Sequence, residues 1–253
     1  MRLSEVAAIV TGGGSGLGRA TAEALAAKGA RVAVFDLNPA AAAEAAKAVG
    51  GLALVGDVAD EASVGSAIGK AEAAHGPARL LVNCAGVGTA KRIVGKDGPQ
   101  PLAHFSKVIS VNLIGTFNVV RLVAAEMMKR PVEPGHDRGA IVCTASVAAY
   151  DGQIGQAAYA ASKGGVVGLT LPLAREFAQA QIRVCSIAPG IFDTPMLAGL
   201  PEAARESLGK QTPFPARLGQ PREYAALARH IFENQYLNGE VIRLDGAIRL
   251  APR

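Results

Sequence analysis

The sequence has few aromatic residues: Phe, Tyr and Trp together make up 4% of its 253 residues, and tryptophan does not occur. Proteins that bind single-stranded nucleic acid stack the bases on aromatic side chains, so that class fits poorly. Charged residues contribute only 19% and hydrophobic residues 50%. Disordered chains combine low hydrophobicity with high charge. The composition therefore predicts a folded protein with a substantial core.

Cysteine and histidine are also scarce. The three cysteines, Cys84, Cys143 and Cys185, lie far apart and form no C-x-x-C pair. The four histidines are scattered in the same way. Neither a disulfide framework nor a zinc site is predicted from this spacing, and we expect no resident metal.

Long hydrophobic runs are missing as well. No segment approaches the ~20 uninterrupted apolar residues of a membrane span. The apolar run before Thr11 has only about five residues, too few for the core of a signal peptide. We therefore expect a soluble, cytoplasmic protein with no membrane partner. Lys and Arg are spread along the chain, so the net charge of +5 indicates a solvated surface. That charge suits an anionic ligand and disfavours nucleic acid as a partner.

Short β-branched segments alternate with longer alanine-rich segments along the chain. The first strands, at residues 7–10 and 31–35, flank a helix at 21–28, and this β-α-β order predicts a parallel sheet. Further strands are predicted at residues 53–55, 80–82, 140–143, 183–187 and 240–244. Further helices are predicted at residues 40–49, 61–74, 105–129, 157–179 and 223–232. The predicted fold class is α/β: a single-domain Rossmann-type doubly wound parallel sheet of about seven strands, with helices on both faces.

No linker or repeat divides the chain, so residues 1–253 are predicted to form one domain. Residues 88–101 and 130–139 are polar and rich in Gly and Pro, and we expect both to be loops. A third segment, at about residues 189–221, mixes Pro, Gly and apolar residues. It is long enough to serve as a lid or substrate loop.

A glycine-rich turn follows the first predicted strand, from Thr11 to Gly18, and a helix follows at once. Residues without Cβ let the backbone approach a pyrophosphate, and the helix N-terminus aims N–H groups at the negative charge. A P-loop would need Lys and then Ser or Thr after the last glycine, but Arg19 and Ala20 stand there. The turn therefore favours a dinucleotide over a nucleoside triphosphate.

Asp36 ends the second predicted strand, 18 residues after Gly18. A carboxylate at this point can accept both hydroxyls of the adenosine ribose and repel a 2′-phosphate, which favours NAD over NADP. Leu37 stands where NADP enzymes often place a basic residue. The alternative for Asp36 is a helix cap or a turn residue.

Tyr159 and Lys163 are four residues apart on a segment with helical character, so they share one helix face. An ammonium group near a phenol lowers the pKa of the phenol, which suits general acid/base catalysis. Ser146 lies 13 residues earlier, just past the predicted strand at 140–143. Site residues of open α/β sheets occur beyond strand carboxyl ends. A Tyr-x-x-x-Lys pair alone also occurs as an ordinary exposed pair.

Together these motifs resemble the short-chain dehydrogenase/reductase family, from Ala7 to the C-terminus. The motifs that carry the resemblance are the turn Thr11 to Gly18, Asp57-Val58, Asn83-Cys84-Ala85-Gly86, Asn112, Ser146, Tyr159 with Lys163, and Pro189-Gly190. The one departure is Cys84, where the family usually has a second Asn.

The resemblance implies a catalytic role for four residues. Tyr159 would be the acid/base, and Lys163 would lower its pKa and hold the nicotinamide ribose. Ser146 would bind the substrate oxygen, and Asn112 would support a proton-relay water. Ser146 could instead be a strand-end cap and Asn112 a helix-interior polar residue. Gln153 is a further candidate substrate contact beside Ser146 and Tyr159, or a turn residue.

The resemblance also implies an NAD site. Asp57 and Val58 would flank the adenine, the turn 83–86 would line the adenine ribose, and Phe192 with Thr194 would hold the carboxamide. The whole predicted set is Gly12, Ser15, Gly16, Leu17, Gly18, Asp36, Asp57, Val58, Cys84, Ala85, Gly86, Tyr159, Lys163, Pro189, Phe192 and Thr194.

Within the family the chain looks most like the type II 3-hydroxyacyl-CoA dehydrogenases, on residues 111–119, 144–150, 213–219 and 237–247. This likeness implies a homotetramer in fatty acid metabolism that oxidises a 3-hydroxyacyl-CoA with NAD, reversibly. Two alternatives stay open: an NAD-dependent alcohol or hydroxysteroid dehydrogenase acting on a secondary alcohol without CoA preference, and a nucleotide-binding scaffold or RNA-binding partner. Lys91, Arg92 and Lys96 could reach CoA phosphates or belong to a solvated loop. The sequence sets neither the acyl chain length nor the direction.

Overall fold

A computed structural model describes residues 3–4, 6–132, 136–197 and 201–252. Its main sheet has seven strands, all paired in parallel. These are β1 (Ala7–Thr11), β2 (Arg31–Asp36), β3 (Leu52–Val55), β4 (Leu80–Asn83), β7 (Gly139–Thr144), β8 (Ile182–Pro189) and β9 (Val241–Leu244). Between β4 and β7, the short strands β5 (Val94–Gly95) and β6 (Gly98–Pro99) form an antiparallel hairpin.

Eight α-helices surround the sheet in the described part of the chain. They are α1 (Gly16–Ala26), α2 (Pro39–Ala48), α3 (Glu61–His75), α4 (Leu102–Ile109), α5 (Gly115–Met128), α6 (Ala157–Glu176), α7 (Glu202–Lys210) and α8 (Pro221–Glu233). A π-helical turn, Ser110–Ile114, joins α4 to α5 without a break. One core cluster contains residues of α3, α5 and α6, and the other contains residues of α1, α2 and α8. The helices therefore cover both faces, and the predicted fold class is confirmed.

The inner strands explain why the core divides in two. Every residue of β1, β4, β7 and β8 is buried, as expected for parallel strands covered on both faces. Successive side chains point to opposite faces of a strand. Accordingly, Ile9 of β1 packs into one cluster, while Ala8 and Val10 pack into the other.

The continuous helix Leu102–Met128 is long and apolar enough to cross a membrane by length and composition. Half of its most apolar window is buried inside the fold. Val119, Val120 and Val123 belong to the core cluster formed with α3 and α6. This is the packing of a core helix.

The structure departs from the predicted elements in the loops. The predicted substrate loop contains the helix α7, and the predicted loop 88–101 contains the hairpin β5–β6. Helix α1 begins at Gly16, five residues before the predicted start, because the glycine turn itself leads into the first helical turn. Residues 133–135 of the predicted loop 130–139, and 198–200 of the substrate loop, lie outside the described residues.

The strand order β3-β2-β1-β4-β7-β8-β9 places the site. From β1 the chain builds outward through β2 to β3, and it then crosses to β4 and builds in the opposite direction. In open α/β sheets, ligands bind at this reversal, beyond the carboxyl ends of the strands. Here the reversal lies between Thr11 and Asn83, the last residues of β1 and β4.

Candidate active site

The glycine-rich turn lies against the turn that follows β4. Gly12 has a φ of +60°, and a Cβ there would lie 2.7 Å from the backbone nitrogen of Ala85. A Cβ on Gly18 would overlap the carbonyl oxygen of Gly12. Both positions therefore require glycine. Their absent side chains leave the backbone open for close approach by a ligand.

The N-terminus of α1 fits an anionic group. Its N-cap residue, Ser15, is exposed and extended, and within the described residues its side chain makes no capping hydrogen bond. The first N–H groups of a helix lack intrahelical partners and carry partial positive charge. These donors lie at the glycine turn, where a pyrophosphate would fit.

Asp36 has two functions available in the structure. Its carboxylate accepts hydrogen bonds from the backbone N–H of Gly14 (2.9 Å) and of Asn38 (2.9 Å). It is therefore a turn residue, the alternative raised from the sequence. It also lines the main cavity beside Leu37, and a carboxylate has lone pairs left for further donors.

Every residue of the predicted NAD set lines one cavity of about 760 Å³. The cavity runs from the glycine turn past the turn 83–86 to Ser146, Tyr159 and Lys163. Its far wall comes from the segment after β8, including Phe192 and Thr194. The structure thus brings together segments that are up to about 180 residues apart in sequence, as expected at the carboxyl edge of a doubly wound sheet.

Tyr159 and Lys163 occupy the first two turns of α6. The Lys163 ammonium lies 5.8 Å from the centre of the Tyr159 ring and donates a 2.6 Å hydrogen bond to the Thr144 carbonyl. Ser146 caps the short turn Val147–Ala149, and its Oγ accepts a hydrogen bond from the Ala148 N–H. Ser146 is therefore a strand-end cap whose hydroxyl also lines the cavity.

Burial dominates the electrostatics of this pair. Desolvation raises the pKa of Tyr159 above its usual value, and the Ser146 hydroxyl partly offsets this by a hydrogen bond that lowers it. Desolvation also lowers the pKa of Lys163 to about 8. In the structure the desolvation of the phenol outweighs the other effects on its pKa, and the Lys163 ammonium donates to a carbonyl. The lowering of the Tyr159 pKa by Lys163 stays a prediction.

Asn112 lies behind the cavity wall rather than in it. It belongs to the π turn and is fully buried. Its Oδ1 accepts the Val87 N–H (2.8 Å), and its Nδ2 donates to the Val87 carbonyl and to Ser162 Oγ, both at 3.0 Å. Its own carbonyl accepts a hydrogen bond from Thr116 Oγ1. The side chain therefore fixes the segment after β4 to α6, and the proton-relay role stays a prediction.

Gln153 lines the cavity, but its side chain already has partners. Its Nε2 donates to the Ala251 carbonyl (2.9 Å), and its Oε1 accepts from Gln156 (3.2 Å). The next N–H, of Ile154, donates to the Pro252 carbonyl. Gln153 thus ties the C-terminal tail to the rim of the cavity, and its contact with substrate stays a prediction.

Several wall residues were not found from the sequence. Thr144 is the last residue of β7, directly after the predicted strand 140–143, and that position is a usable signal. Leu208 lies on α7, where the Ala, Glu and Arg content of residues 202–210 indicates a helix. Leu250 and Met196 also line the cavity, and no pattern in the sequence marks them.

The predicted basic loop forms the side of a second, open groove of about 530 Å³. Arg92, Ile93 and Val94 line one side of this groove and residues 152–157 the other. Gln153 and Gln156 border both the groove and the main cavity. The Lys91 N–H donates to the Gly155 carbonyl (2.8 Å), which holds the loop against this rim.

A backbone cradle for a pyrophosphate that opens onto a half-buried Tyr159 beside the buried Lys163 defines the class, an oxidoreductase that uses a nicotinamide dinucleotide. The chain belongs to the short chain dehydrogenase family, whose model matches residues 6–205.

Similar proteins cover nearly the whole chain. It is 51% identical to the 3-hydroxyacyl-CoA dehydrogenase type-2 of Bos taurus, over 97% of this chain and 95% of that one. It is 51% identical to the Drosophila melanogaster protein of the same name, over 99% of this chain and 100% of that one. The crystal structure of 3-hydroxyacyl-CoA dehydrogenase type-2 from Mycobacterium avium superposes with a TM-score of 0.93 at 44% identity, covering 98% of this chain and 97% of that one.

Proposed function

We propose that this protein oxidises a 3-hydroxyacyl-CoA to the 3-ketoacyl-CoA with NAD, in a reversible hydride transfer. The observation that carries the proposal is the near full-length similarity to relatives named for that activity. The cavity supports it, because an acid/base residue, a hydroxyl and a dinucleotide cradle open onto the same space.

In the proposed mechanism, Tyr159 as phenolate takes the proton of the 3-hydroxyl, and in the reverse direction the phenol returns it. Ser146 Oγ donates a hydrogen bond to the substrate oxygen. Lys163 remains mostly protonated at neutral pH because its pKa is about 8, and its positive charge stabilises the phenolate. The bound nicotinamide supplies the hydride acceptor. Asn112 acts by holding the cavity wall, and Gln153 borders the substrate.

NAD is proposed as the cofactor on the strength of Asp36. The glycine turn and Ser15 would hold the pyrophosphate, and the Asp36 carboxylate would accept the ribose hydroxyls. Asp57 and Val58 would flank the adenine, with Cys84, Ala85 and Gly86 beside the ribose. Pro189, Phe192 and Thr194 would hold the carboxamide end.

The basic loop is proposed to bind the CoA phosphates. Lys91, Arg92 and Lys96 are exposed at the open groove or beside it. Replacing all three by Gln should raise KM for an acyl-CoA and leave KM unchanged for a truncated thioester that lacks the nucleotide. The matched control replaces three other exposed lysines by Gln: Lys28 in the turn after α1, Lys47 on α2 and Lys70 on α3. Equal effects of the loop triple on both thioesters would refute the assignment.

The wider setting is also proposed. We place the whole chain, residues 1–253, in one domain, with residues 189–221 as its substrate loop. We propose a cytoplasmic homotetramer that acts in fatty acid metabolism without a membrane or nucleic acid partner. Ile114 and Phe117 are exposed apolar residues on the long helix, and a Cβ on Gly164 or Gly168 of α6 would meet open space. These faces suit packing against another copy.

The deciding experiment follows NADH formation with short 3-hydroxyacyl-CoAs, simple secondary alcohols and a hydroxysteroid. The proposal predicts the highest kcat/KM for a 3-hydroxyacyl-CoA. A higher value for an alcohol or the steroid would replace it with the dehydrogenase that lacks CoA preference. No turnover with any substrate, together with salt-sensitive RNA binding, would support a scaffold instead.

A further inference from the structure

A tyrosine far from the cavity in sequence is connected to Lys163. Tyr224 lies on α8, is fully buried, and belongs to an apolar core cluster. A buried hydroxyl is costly unless it is hydrogen-bonded, whereas Phe would fill the same space without a polar atom. The Tyr224 hydroxyl lies 2.7 Å from Thr144 Oγ1. That contact gives the hydroxyl its partner at the carboxyl end of β7.

The direction of this hydrogen bond follows from the other partners of Thr144. Its Oγ1 also lies within hydrogen-bond distance of the Asn83 carbonyl, which can only accept. A threonine hydroxyl has one proton, so Thr144 donates to Asn83 and Tyr224 donates to Thr144. Cys84 Sγ lies 3.7 Å from both hydroxyls. A thiol is a weak hydrogen-bonding group, so Tyr224 is the strong donor to Thr144.

The backbone of Thr144 connects these hydrogen bonds to Lys163 in the site. Its carbonyl accepts the Lys163 ammonium at 2.6 Å, and no other hydrogen bond of that ammonium occurs among the described residues. An ammonium group has three donors. The Thr144 carbonyl fixes the direction of one N–H group of the Lys163 ammonium. It thereby also sets the directions in which the other two N–H groups point.

We infer that Tyr224 is a positioning residue for the reaction. Its hydroxyl holds the Thr144 side chain against the end of β4, and this fixes the carbonyl that aims Lys163. The inference rests on the proposed function, since it assumes that Lys163 takes part in hydride transfer. Tyr224 itself touches neither substrate nor cofactor in this scheme.

The first test is Tyr224→Phe, which removes only the hydroxyl. We expect kcat to fall by about fivefold to tenfold while KM for the hydroxy substrate changes less than twofold, because geometry and not binding is disturbed. The inflection that Lys163 gives in the pH profile of kcat/KM should move to lower pH. A loosened carbonyl stabilises the charged amine less, so the Lys163 pKa falls.

Two comparisons separate positioning from stability. Ile231→Val removes one methyl group from a fully buried residue of the same helix, and it should lower Tm while kcat and the pH profile keep their wild-type form. Thr144→Ser keeps the hydroxyl that Thr144→Val removes. The kcat and the pH profile of the Ser variant should therefore lie closer to those of the wild type. This second pair also tests the inference if Tyr224→Phe fails to fold.

The inference is overturned if Tyr224→Phe lowers Tm as Ile231→Val does and leaves kcat and the pH profile unchanged. All variants are assayed with a 3-hydroxyacyl-CoA and with a secondary alcohol. If only the alcohol is oxidised, the proposed substrate is wrong. The ratio of kcat in Tyr224→Phe to kcat in the wild type, measured with the alcohol, still tests the role of Tyr224. If neither is oxidised, an NMR titration of isotope-labelled lysine measures the Lys163 pKa without turnover, and equal values in both proteins refute the inference.

Discussion

The cavity and the groove beside it form a site with two halves that are built in different ways. The cofactor half comprises residues 11–18, Asp36 and residues 83–86, at the carboxyl ends of buried strands. The substrate half, named for its proposed role, comprises residues 92–99 at the groove, which contain the hairpin β5–β6, together with residues 152–156 and the tail 250–252. A Cβ on Gly12 or Gly18 would meet backbone atoms, whereas Ile93 and Val94 in the substrate half are 64% and 69% exposed.

The difference lies in what holds each half. Strand pairing and close backbone packing fix the cofactor half, so few sequences can form it. A few backbone hydrogen bonds join the parts of the substrate half, such as Lys91 N–H to the Gly155 carbonyl and Ile154 N–H to the Pro252 carbonyl. Loops tolerate change far better than the elements that they connect. The residues of the substrate half can therefore change with less cost to the fold than those of the cofactor half.

The largest effect is expected where the halves meet. Tyr159→Phe should lower kcat by about 10³-fold, because a positioned acid/base typically contributes 10²–10⁴-fold. Nucleotide binding should persist, since the cofactor half is untouched. The measurements are steady-state kinetics and a nucleotide-binding titration.

Tyr236→Phe is the matched control, because Tyr236 is 99% exposed and the same hydroxyl is removed. It should retain wild-type kcat. Activity near the wild-type level in Tyr159→Phe would refute the assignment of Tyr159 as the base.

The second largest effect is expected on the free energy of unfolding, which should depend on pH through the lowered pKa of Lys163. Its folded-state pKa of about 8 lies below the ordinary 10.5, so between these values the unfolded chain binds a proton that the folded chain does not. Stability conferred by this group therefore rises with pH across that window. Relative to Lys163→Met, the wild-type free energy of unfolding should gain roughly 3 kcal/mol between pH 7.5 and 10.5. Urea unfolding at several pH values measures it.

Lys70→Met gives the matched comparison, since Lys70 is exposed on α3. The difference in the free energy of unfolding between Lys70→Met and wild type should stay nearly constant with pH. A Lys163→Met difference that is equally constant would show that burial does not penalise the Lys163 charge.

Much of the fold and of the cofactor half could be predicted from the sequence, for physical reasons. Buried parallel strands form continuous β-branched runs, and all seven predicted strands overlap the observed ones. The glycines are readable because their backbone positions exclude a Cβ. The hairpin β5–β6 and helix α7 were missed, because exposed segments need no apolar periodicity. The desolvation that raises the pKa of Tyr159 could not be predicted from the sequence, since burial depends on packing that spacing does not show.

The third prediction probes the close packing of the cofactor half. Gly18→Ala should cost about 1–3 kcal/mol in stability or distort the turn and weaken nucleotide binding, because the new methyl group overlaps the Gly12 carbonyl. Gly65→Ala on α3 is the control, since a Cβ there meets open space. It should stabilise the protein by about 0.5–1 kcal/mol. If both variants behave alike in unfolding and binding assays, close packing does not define this half.

The smallest effect tests how far charge, rather than shape, sets the cofactor. Asp36→Asn keeps the size of the side chain and an oxygen that can accept the Gly14 N–H, but removes the negative charge. We expect KM for NAD to rise about tenfold, or ~1.4 kcal/mol, and the preference for NAD over NADP to narrow, because a 2′-phosphate is no longer repelled. Asp97→Asn removes the same charge from the exposed hairpin of the substrate half. It should change neither KM for NAD nor the preference for NAD over NADP. The measurement is steady-state kinetics with NAD and with NADP. If Asp36→Asn keeps the wild-type preference for NAD over NADP, the backbone shape of the cofactor half selects the nucleotide, and the Asp36 carboxylate serves only the turn.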